Sequence, residues 1–159
     1  MHKIGFGYDI HRLEAGRPLV LGGAPIPFPA GLIGHSDGDA LVHAVADALL
    51  GALGEGDIGT HFPDTDPRYE GARSVGLLAA VVGLVRARGA EIVNVDTVVV
   101  AEEPKMAPHV PAMKAALAPV LGIPEAALGI KAKTNEGLGP VGEKRAIACY
   151  AVALLTVPD

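Results

Sequence analysis

The stretch ALVHAVADALLGAL, residues 40–53, decides the fold. Its apolar residues recur at helical spacing, and Ser36, Asp37 and Asp39 ahead of it are residue types that cap and open helices. Gly54 follows, where a helix ends. Almost nothing in the segment is polar except His43 and Asp47, with Asp39 at its threshold. A helix so apolar must be covered on most sides, so a sheet and further helices have to lie around it.

The flanking sequence supplies them. KIGFGYDIHRL, residues 3–13, reads as a strand, and LVLGGAPIP after it as a hairpin. GEGDIGTHFPDTDPRYEG, residues 54–71, has no periodicity and is expected to be a long loop of the functional kind. A second helix is expected from about Glu70 to Arg88, stopped by Gly89. EIVNVDTVVVAEE reads as a strand, PHVPAMKAALAPVLG as a helix broken by Pro119, and LGIKAKTNEGLG as a strand entering a glycine-rich turn. RAIACYAVALLTV reads as a last buried strand. Strands alternating with helices give an α/β (α+β two-layer) class, a mixed sheet with helices on one face, in a single domain over residues 1–159.

Composition narrows the function. Half of the 159 residues are hydrophobic and only 19% are charged, too few to cover a monomer's surface, which favours a homo-oligomer. The net charge of −5 argues against nucleic acid as a partner. No apolar run reaches the roughly 18 residues that span a bilayer, so a cytoplasmic protein is expected. The lone Cys149, in an apolar run, reads as a buried hydrophobe, so any metal must be held by His and carboxylate.

Residues i and i+2 of a strand share a face, so Asp9 and His11 point the same way, about 7 Å apart at Cβ. On the helix, Asp39, His43 and Asp47 stand at i, i+4 and i+8. Such a stripe is either a solvated face or a ligand set. The helix's apolarity favours burial, and a buried His between carboxylates needs a partner. Asp9, His11 and His43 together offer three N/O ligands with one tetrahedral position open, the layout of a catalytic zinc site. Asp39 or Asp47 would then orient His43. His2, His61 and His109 have no such pattern and read as surface or loop residues.

Four segments, GYDIHRL, GHSDGDALVHAVADALLGALGEGDIGTHFPDTDP, NVDTVVVAEEPKMAPHVPAM and KAKTNEGLG, occur in the order and spacing of one family. They resemble the 2-C-methyl-D-erythritol 2,4-cyclodiphosphate synthases of non-mevalonate isoprenoid biosynthesis, over nearly the whole chain. The resemblance implies a homotrimer with active sites between subunits. It implies that 4-diphosphocytidyl-2-C-methyl-D-erythritol 2-phosphate is cyclised with release of CMP. On the matching positions Asp9, His11 and His43 would bind Zn²⁺, and Glu136 would meet Mg²⁺ or Mn²⁺ on the diphosphate. His35 and Thr134 would assist the transition state. Ser36, Asp57, Ile58, Gly59, Phe62, Pro63, Asp64, Thr65 and Asp66 would surround the erythritol phosphate. Ala101, Pro104, Lys105, Met106 and Ala107 would form the cytidine pocket, joined by Lys133 and Asn135. The pattern departs from the family at Pro140 and Glu143, where an aromatic and an arginine commonly meet the nucleotide. Lys144 and Arg145 stand beside them as replacement cations.

Two rival readings share these residues. One is a zinc-dependent phosphoester hydrolase using metal-bound water. The other is a non-catalytic trimeric protein that binds isoprenoid diphosphates, with its zinc structural.

Overall fold

A computed structural model describes residues 1–159. Strand β1 (His2–Ala15) is followed by β2 (Leu19–Leu21), β3 (Ala24–Ile26) and β4 (Ala30–Leu32), then helices α1 (Ala40–Leu53), α2 (Ile58–His61) and α3 (Ser74–Ala87). Strand β5 (Glu91–Val100), helix α4 (Val110–Leu121), strand β6 (Leu128–Lys133), helix α5 (Gly139–Gly142) and strand β7 (Ala146–Thr156) complete the chain. One five-stranded sheet runs β4-β1-β7-β5-β6, and β2 and β3 form a separate hairpin. The sheet is mixed: β5 and β6 are parallel, and the other neighbours are antiparallel.

β1 is the strand on which the architecture turns. Its odd-numbered residues face α1, and Gly5 and Gly7 among them are buried. A Cβ built on Gly5 would sit 1.7 Å from the Ala48 carbonyl oxygen, and one on Gly7 1.8 Å from that of Ala44. The helix therefore rests on the strand's backbone, an approach that only glycine permits. Further along the same face the residues change from glycine to Asp9 and His11.

The expected burial of α1 is realised. Only His43, Asp47, Gly51 and Leu53 are not fully buried, Leu53 still packing against the core, and the buried Leu41, Leu49 and Leu50 each contribute roughly 1.5–3 kcal/mol by leaving water. α3 packs on α1 and α4 on α3, so the helices lie on one face of the sheet. Leu78, Met113, Leu117 and Leu155 close the same core.

Two boundaries differ from those read in the sequence. The second helix begins at Ser74, because Pro67–Tyr69 forms a separate 3₁₀ turn capped by Asp66. α4 continues through Pro119 to Leu121. The proline falls in the last turn, where it forfeits one backbone bond, and Gly122 at φ 72° closes the helix by donating to the Ala118 carbonyl at 2.9 Å.

The opposite face of the sheet is apolar yet exposed. Ile4 is 72% exposed and Phe6 62%, with Tyr8, Ile10, Tyr150 and Val152 beside them. The Tyr8 and Tyr150 rings lie 5.0 Å apart.

Candidate metal-centred active site

Asp9, His11 and His43 converge as their spacing suggested. The Asp9 Oδ2 atom is 2.7 Å from His11 Nε2 and 2.9 Å from His43 Nδ1, and the two imidazole nitrogens are 3.3 Å apart. Four ligands at zinc distances define a tetrahedron with edges of about 3.3 Å. The three atoms thus need only a few tenths of an ångström of opening to accept an ion between them. No other group of three ligating side chains in the protein comes together in this way.

The fold sets each ligand's orientation. His11 Nδ1 donates to the Ile33 carbonyl at 2.5 Å, which leaves Nε2 free for a cation. The Ile10 amide donates to Asp9 Oδ1 at 3.0 Å, turning Oδ2 toward the histidines. Burial alone would raise the Asp9 carboxyl, but whenever no ion lies between them the imidazoles of His11 and His43 can donate to it, which outweighs burial and holds its pKa at about 2. His11 is raised above its ordinary value, because the Asp9 carboxylate outweighs the opposing effect of burial. A carboxylate kept ionised between two imidazoles is a donor set that could hold a divalent cation.

Asp39 and Asp47 do not orient His43, contrary to the reading of the polar stripe. Asp39 is fully buried and accepts from the amides of Gly22 (2.8 Å), Gly23 (2.7 Å) and Val42 (3.1 Å), so it ties the β2–β3 hairpin to the start of α1. Burial raises its carboxyl to about 6 despite those donors. Asp47 accepts from the Ile58 amide at 2.7 Å and pins α2 to α1. Both carboxylates have a local amide to satisfy. The groups that reach the outer nitrogen of His43, Nε2, are the hydroxyls of Ser74 at 2.8 Å and Ser36 at 3.1 Å. Sequence reasoning missed Ser74 because a helix begun at Glu70 puts it in the second turn, not at the threshold beside α1.

The triad opens into a cleft of about 400 Å³, lined also by His35, Ser36, Asp47, Ile58, Gly59, Phe62, Pro63, Asp64, Tyr69 and Leu77. A cavity of about 430 Å³ between the ends of α3 and α4 contains Arg86 and Glu91 but no ligand cluster. Of the loop residues singled out in the sequence, Asp57 and Asp66 are used locally. Asp57 caps α2 through Thr60, and Asp66 holds Arg68 while its carbonyl receives His35 Nε2 at 3.2 Å. Thr65 does not line the cleft, and His61 donates to the Glu55 carbonyl at 2.8 Å.

Most of the remaining candidates line a second hollow of about 210 Å³, formed by Ala101, Glu102, Pro104, Lys105, Met106, Ala107, Ala132, Lys133 and Thr134, with Asn135 and Glu136 outside its lining. Glu102, inside the expected cytidine span 101–107 but with no role of its own foreseen there, shapes the turn beyond it by accepting from the amides of Asn135 (2.8 Å) and Gly137 (3.3 Å). Between them Glu136 stands at φ 53°, with Thr134 Oγ1 3.3 Å from its carboxylate. The substitute cations are engaged: Lys144 pairs with Glu103 at 2.8 Å and Arg145 with Glu143.

The two hollows share no residue. Ile10, Ala148, Val100 and Lys133 form one row across the sheet. Three strand spacings separate the ends of that row, about 14 Å. Within one chain, Thr134 and Glu136 therefore stand apart from the triad.

A family model described as the YgbB family matches residues 2–156. The 2-C-methyl-D-erythritol 2,4-cyclodiphosphate synthase of Gloeobacter violaceus is 59% identical over 153 residues, covering 96% of this chain and 94% of the relative. That of Symbiobacterium thermophilum is also 59% identical, covering 96% and 97%. A solved synthase structure described as a CDP-bound form superposes with a TM-score of 0.90 at 46% identity, covering 97% of this chain and all of the other.

Proposed function

The chain belongs to the YgbB family, and from that premise we propose that it is a 2-C-methyl-D-erythritol 2,4-cyclodiphosphate synthase acting in isoprenoid biosynthesis. Residues 1–159 act as one catalytic domain. The 2-phosphate of 4-diphosphocytidyl-2-C-methyl-D-erythritol 2-phosphate attacks the β-phosphorus, the bond from that phosphorus to the bridging oxygen breaks, and CMP leaves. The reaction is a phosphorus–oxygen lyase step. The attacking oxygen is already ionised, so the protein's task is to position two anions and neutralise their charge.

The carrying observation is the ligand triangle of Asp9, His11 and His43 at the floor of a cleft, with atoms 2.7–3.3 Å apart. Its N/O donor set suits Zn²⁺, which when bound polarises a phosphoryl oxygen as a Lewis acid. Glu136, in its exposed turn, would hold Mg²⁺ or Mn²⁺ against the diphosphate. His35 and Ser36 border the triad and, with Ile58, Gly59, Phe62, Pro63 and Asp64, enclose the methylerythritol phosphate. Asp57, Thr65 and Asp66 shape that loop. Phe62, edge-on to Tyr69 at 5.3 Å, covers the carbon skeleton. Ala101, Pro104, Lys105, Met106 and Ala107 receive the cytidine, with Lys133, Thr134 and Asn135 on the phosphate side.

The separation of the two hollows supports a homotrimer in which each site is closed by a neighbour's Lys133–Glu136 segment. The exposed apolar face of β1 and β7 supports the same assembly, since a patch rich in Phe, Tyr and Ile needs a partner surface.

The test is phosphorus NMR with the cytidyl substrate in ¹⁸O-labelled water. Cyclic diphosphate and CMP, neither carrying ¹⁸O, are the expected products. Label in either product would make the protein a hydrolase, and binding without turnover would make it a carrier.

A further inference from the structure

The groups behind His43 form a directional chain that the proposed reaction does not itself require. His43 Nε2 lies 2.8 Å from Ser74 Oγ, and Ser74 Oγ is hydrogen-bonded to Asp37 Oδ1. Asp37 Oδ1 also accepts the Asp39 amide at 3.1 Å, and Oδ2 accepts the Ser74 amide at 3.0 Å. Every neighbour of the Asp37 carboxylate is thus a donor. With amide donors on both of its oxygens, the Asp37 carboxyl group accepts from the Ser74 hydroxyl as well, so that proton points to Asp37. The lone pairs of Ser74 Oγ are then the ones left to face His43, and Nε2 must carry the hydrogen. In the neutral imidazole that a cation requires, that assignment leaves Nδ1, 2.9 Å from Asp9 and 3.3 Å from His11, as the bare nitrogen aimed at the cation seat. Without Asp37, the Ser74 hydroxyl could turn and donate to Nε2, placing a proton on Nδ1 where a metal must bind.

We propose that Ser74 and Asp37 are positioning residues that fix the metal-binding tautomer of His43. The chain Asp37–Ser74–His43 is one hydroxyl longer than the usual direct carboxylate–imidazole contact behind a metal ligand. Ser74 suits the role by position: it is the first residue of α3 and wholly buried, so its hydroxyl cannot turn to water. Ser36 Oγ, 3.1 Å from His43 Nε2 and 3.2 Å from Ser74 Oγ, is the secondary member, spending its own proton on Ser74. The inference rests on the triad being a metal site, as proposed above.

Zinc affinity, measured by chelator competition without substrate, is the main readout, with the visible spectrum of the cobalt form as a geometric check. Ser74→Ala and Asp37→Asn should each weaken zinc binding roughly 10- to 100-fold. An asparagine cannot accept at all the positions Asp37 fills, so its amide must leave one donor facing another. Because the two residues act in series, the double variant should be no worse than the worse single one, whereas two independent packing losses would multiply. Ser74→Thr should restore affinity, and Ser36→Ala should cost less than Ser74→Ala. In the zinc-loaded parent, NMR should find a slowly exchanging His43 Nε2 proton close to the Ser74 β-protons, a measurement that needs no variant to fold. Parent-like zinc affinity in Ser74→Ala, multiplicative losses in the double variant, or no such proton overturns the inference. A parent that takes up no zinc at all overturns the metal reading instead, which keeps the two failures distinct.

Discussion

Replacing Gly7 by alanine adds a single methyl group, and the structure says where it lands. The new Cβ would lie 1.8 Å from the Ala44 carbonyl oxygen, 2.8 Å from its carbon and 2.9 Å from the Ala48 amide nitrogen. A carbon and an oxygen in contact need roughly 3.3 Å, so α1 and β1 must separate by about 1.5 Å. Backbone strain plays no part, because Gly7 is not among the positive-φ glycines. The obstacle is backbone on both sides, with no flexible side chain to move. The overpacking costs about 1–3 kcal/mol or somewhat more. The effect on the site is larger, since Asp9 and His11 belong to β1 and His43 to α1. Adding the separation to the present 2.9 and 3.3 Å puts His43 Nδ1 about 4.5 Å from its partners, against a tolerance of about 0.2 Å in metal–ligand distance. Zinc affinity should fall at least 100-fold, more than for loss of a supporting hydrogen bond, while circular dichroism still reports a folded chain. Gly83→Ala is the control: nothing lies within 4 Å of its added Cβ, on an exposed turn of α3. It should stabilise by about 0.5–1 kcal/mol and leave zinc untouched. A folded Gly7→Ala protein that binds zinc within threefold of the parent would refute the claim that helix-to-strand contact sets the ligand spacing.

Three further outcomes are expected. Glu136→Gln should lower turnover at least 100-fold with zinc content unchanged, as metal analysis beside the cyclisation assay would report; equal loss of both would put Glu136 at the wrong ion. Zinc affinity should fall on acidification, because each imidazole must lose its proton to bind. With the folded His11 pKa raised above 6.5, that loss should set in above pH 6.5, and a titration flat down to pH 5 would contradict it. Asp39→Ala strands the amides of Gly22, Gly23 and Val42, and should destabilise the chain by about 2–4 kcal/mol in a denaturant titration. A loss under 1 kcal/mol would mean that water reaches them.

What could be read from sequence divides along physical lines. The ligands Asp9, His11 and His43 were legible because strand and helix periodicities fix which side chains share a face, and because so apolar a helix as α1 must be buried. The hairpin and the order of the longer elements were legible from turn chemistry and periodicity, but the short β4, α2 and α5 were not, being three or four residues each. The start of α3 was not, since the three-residue turn Pro67–Tyr69 lies just ahead of the 14-residue helix Ser74–Ala87 and the two patterns run together. That error concealed Ser74. Asp39 and Asp47 were given the wrong task because spacing along a helix says which side chains align but not which amides lie opposite. Gly22, Gly23 and Ile58 come from elements folded against α1, and only tertiary structure brings them there. The part Glu102 plays in holding the 135–137 turn was hidden for the same reason: its partners are 33 and 35 residues away.

One strand carries three requirements at once, and its pairing holds them in phase. In β1 the odd residues Gly5 and Gly7 seat the helix, Asp9 and His11 continue that row into the cation seat, and the even residues Ile4, Phe6, Tyr8 and Ile10 form the apolar outer face. The β7 register sets Asp9 against Cys149 and His11 against Ile147, and it places Tyr150 beside Tyr8 and Val152 beside Phe6 on the outer face. A slip of one residue would drive Phe6 and Tyr8 into the Ala44 and Ala48 carbonyls and turn both ligands away from His43. Helix contact, metal geometry and outer face would then fail together. The ligand triangle is therefore as well determined as the β1–β7 pairing itself, which extends unbroken from His2 to Arg12.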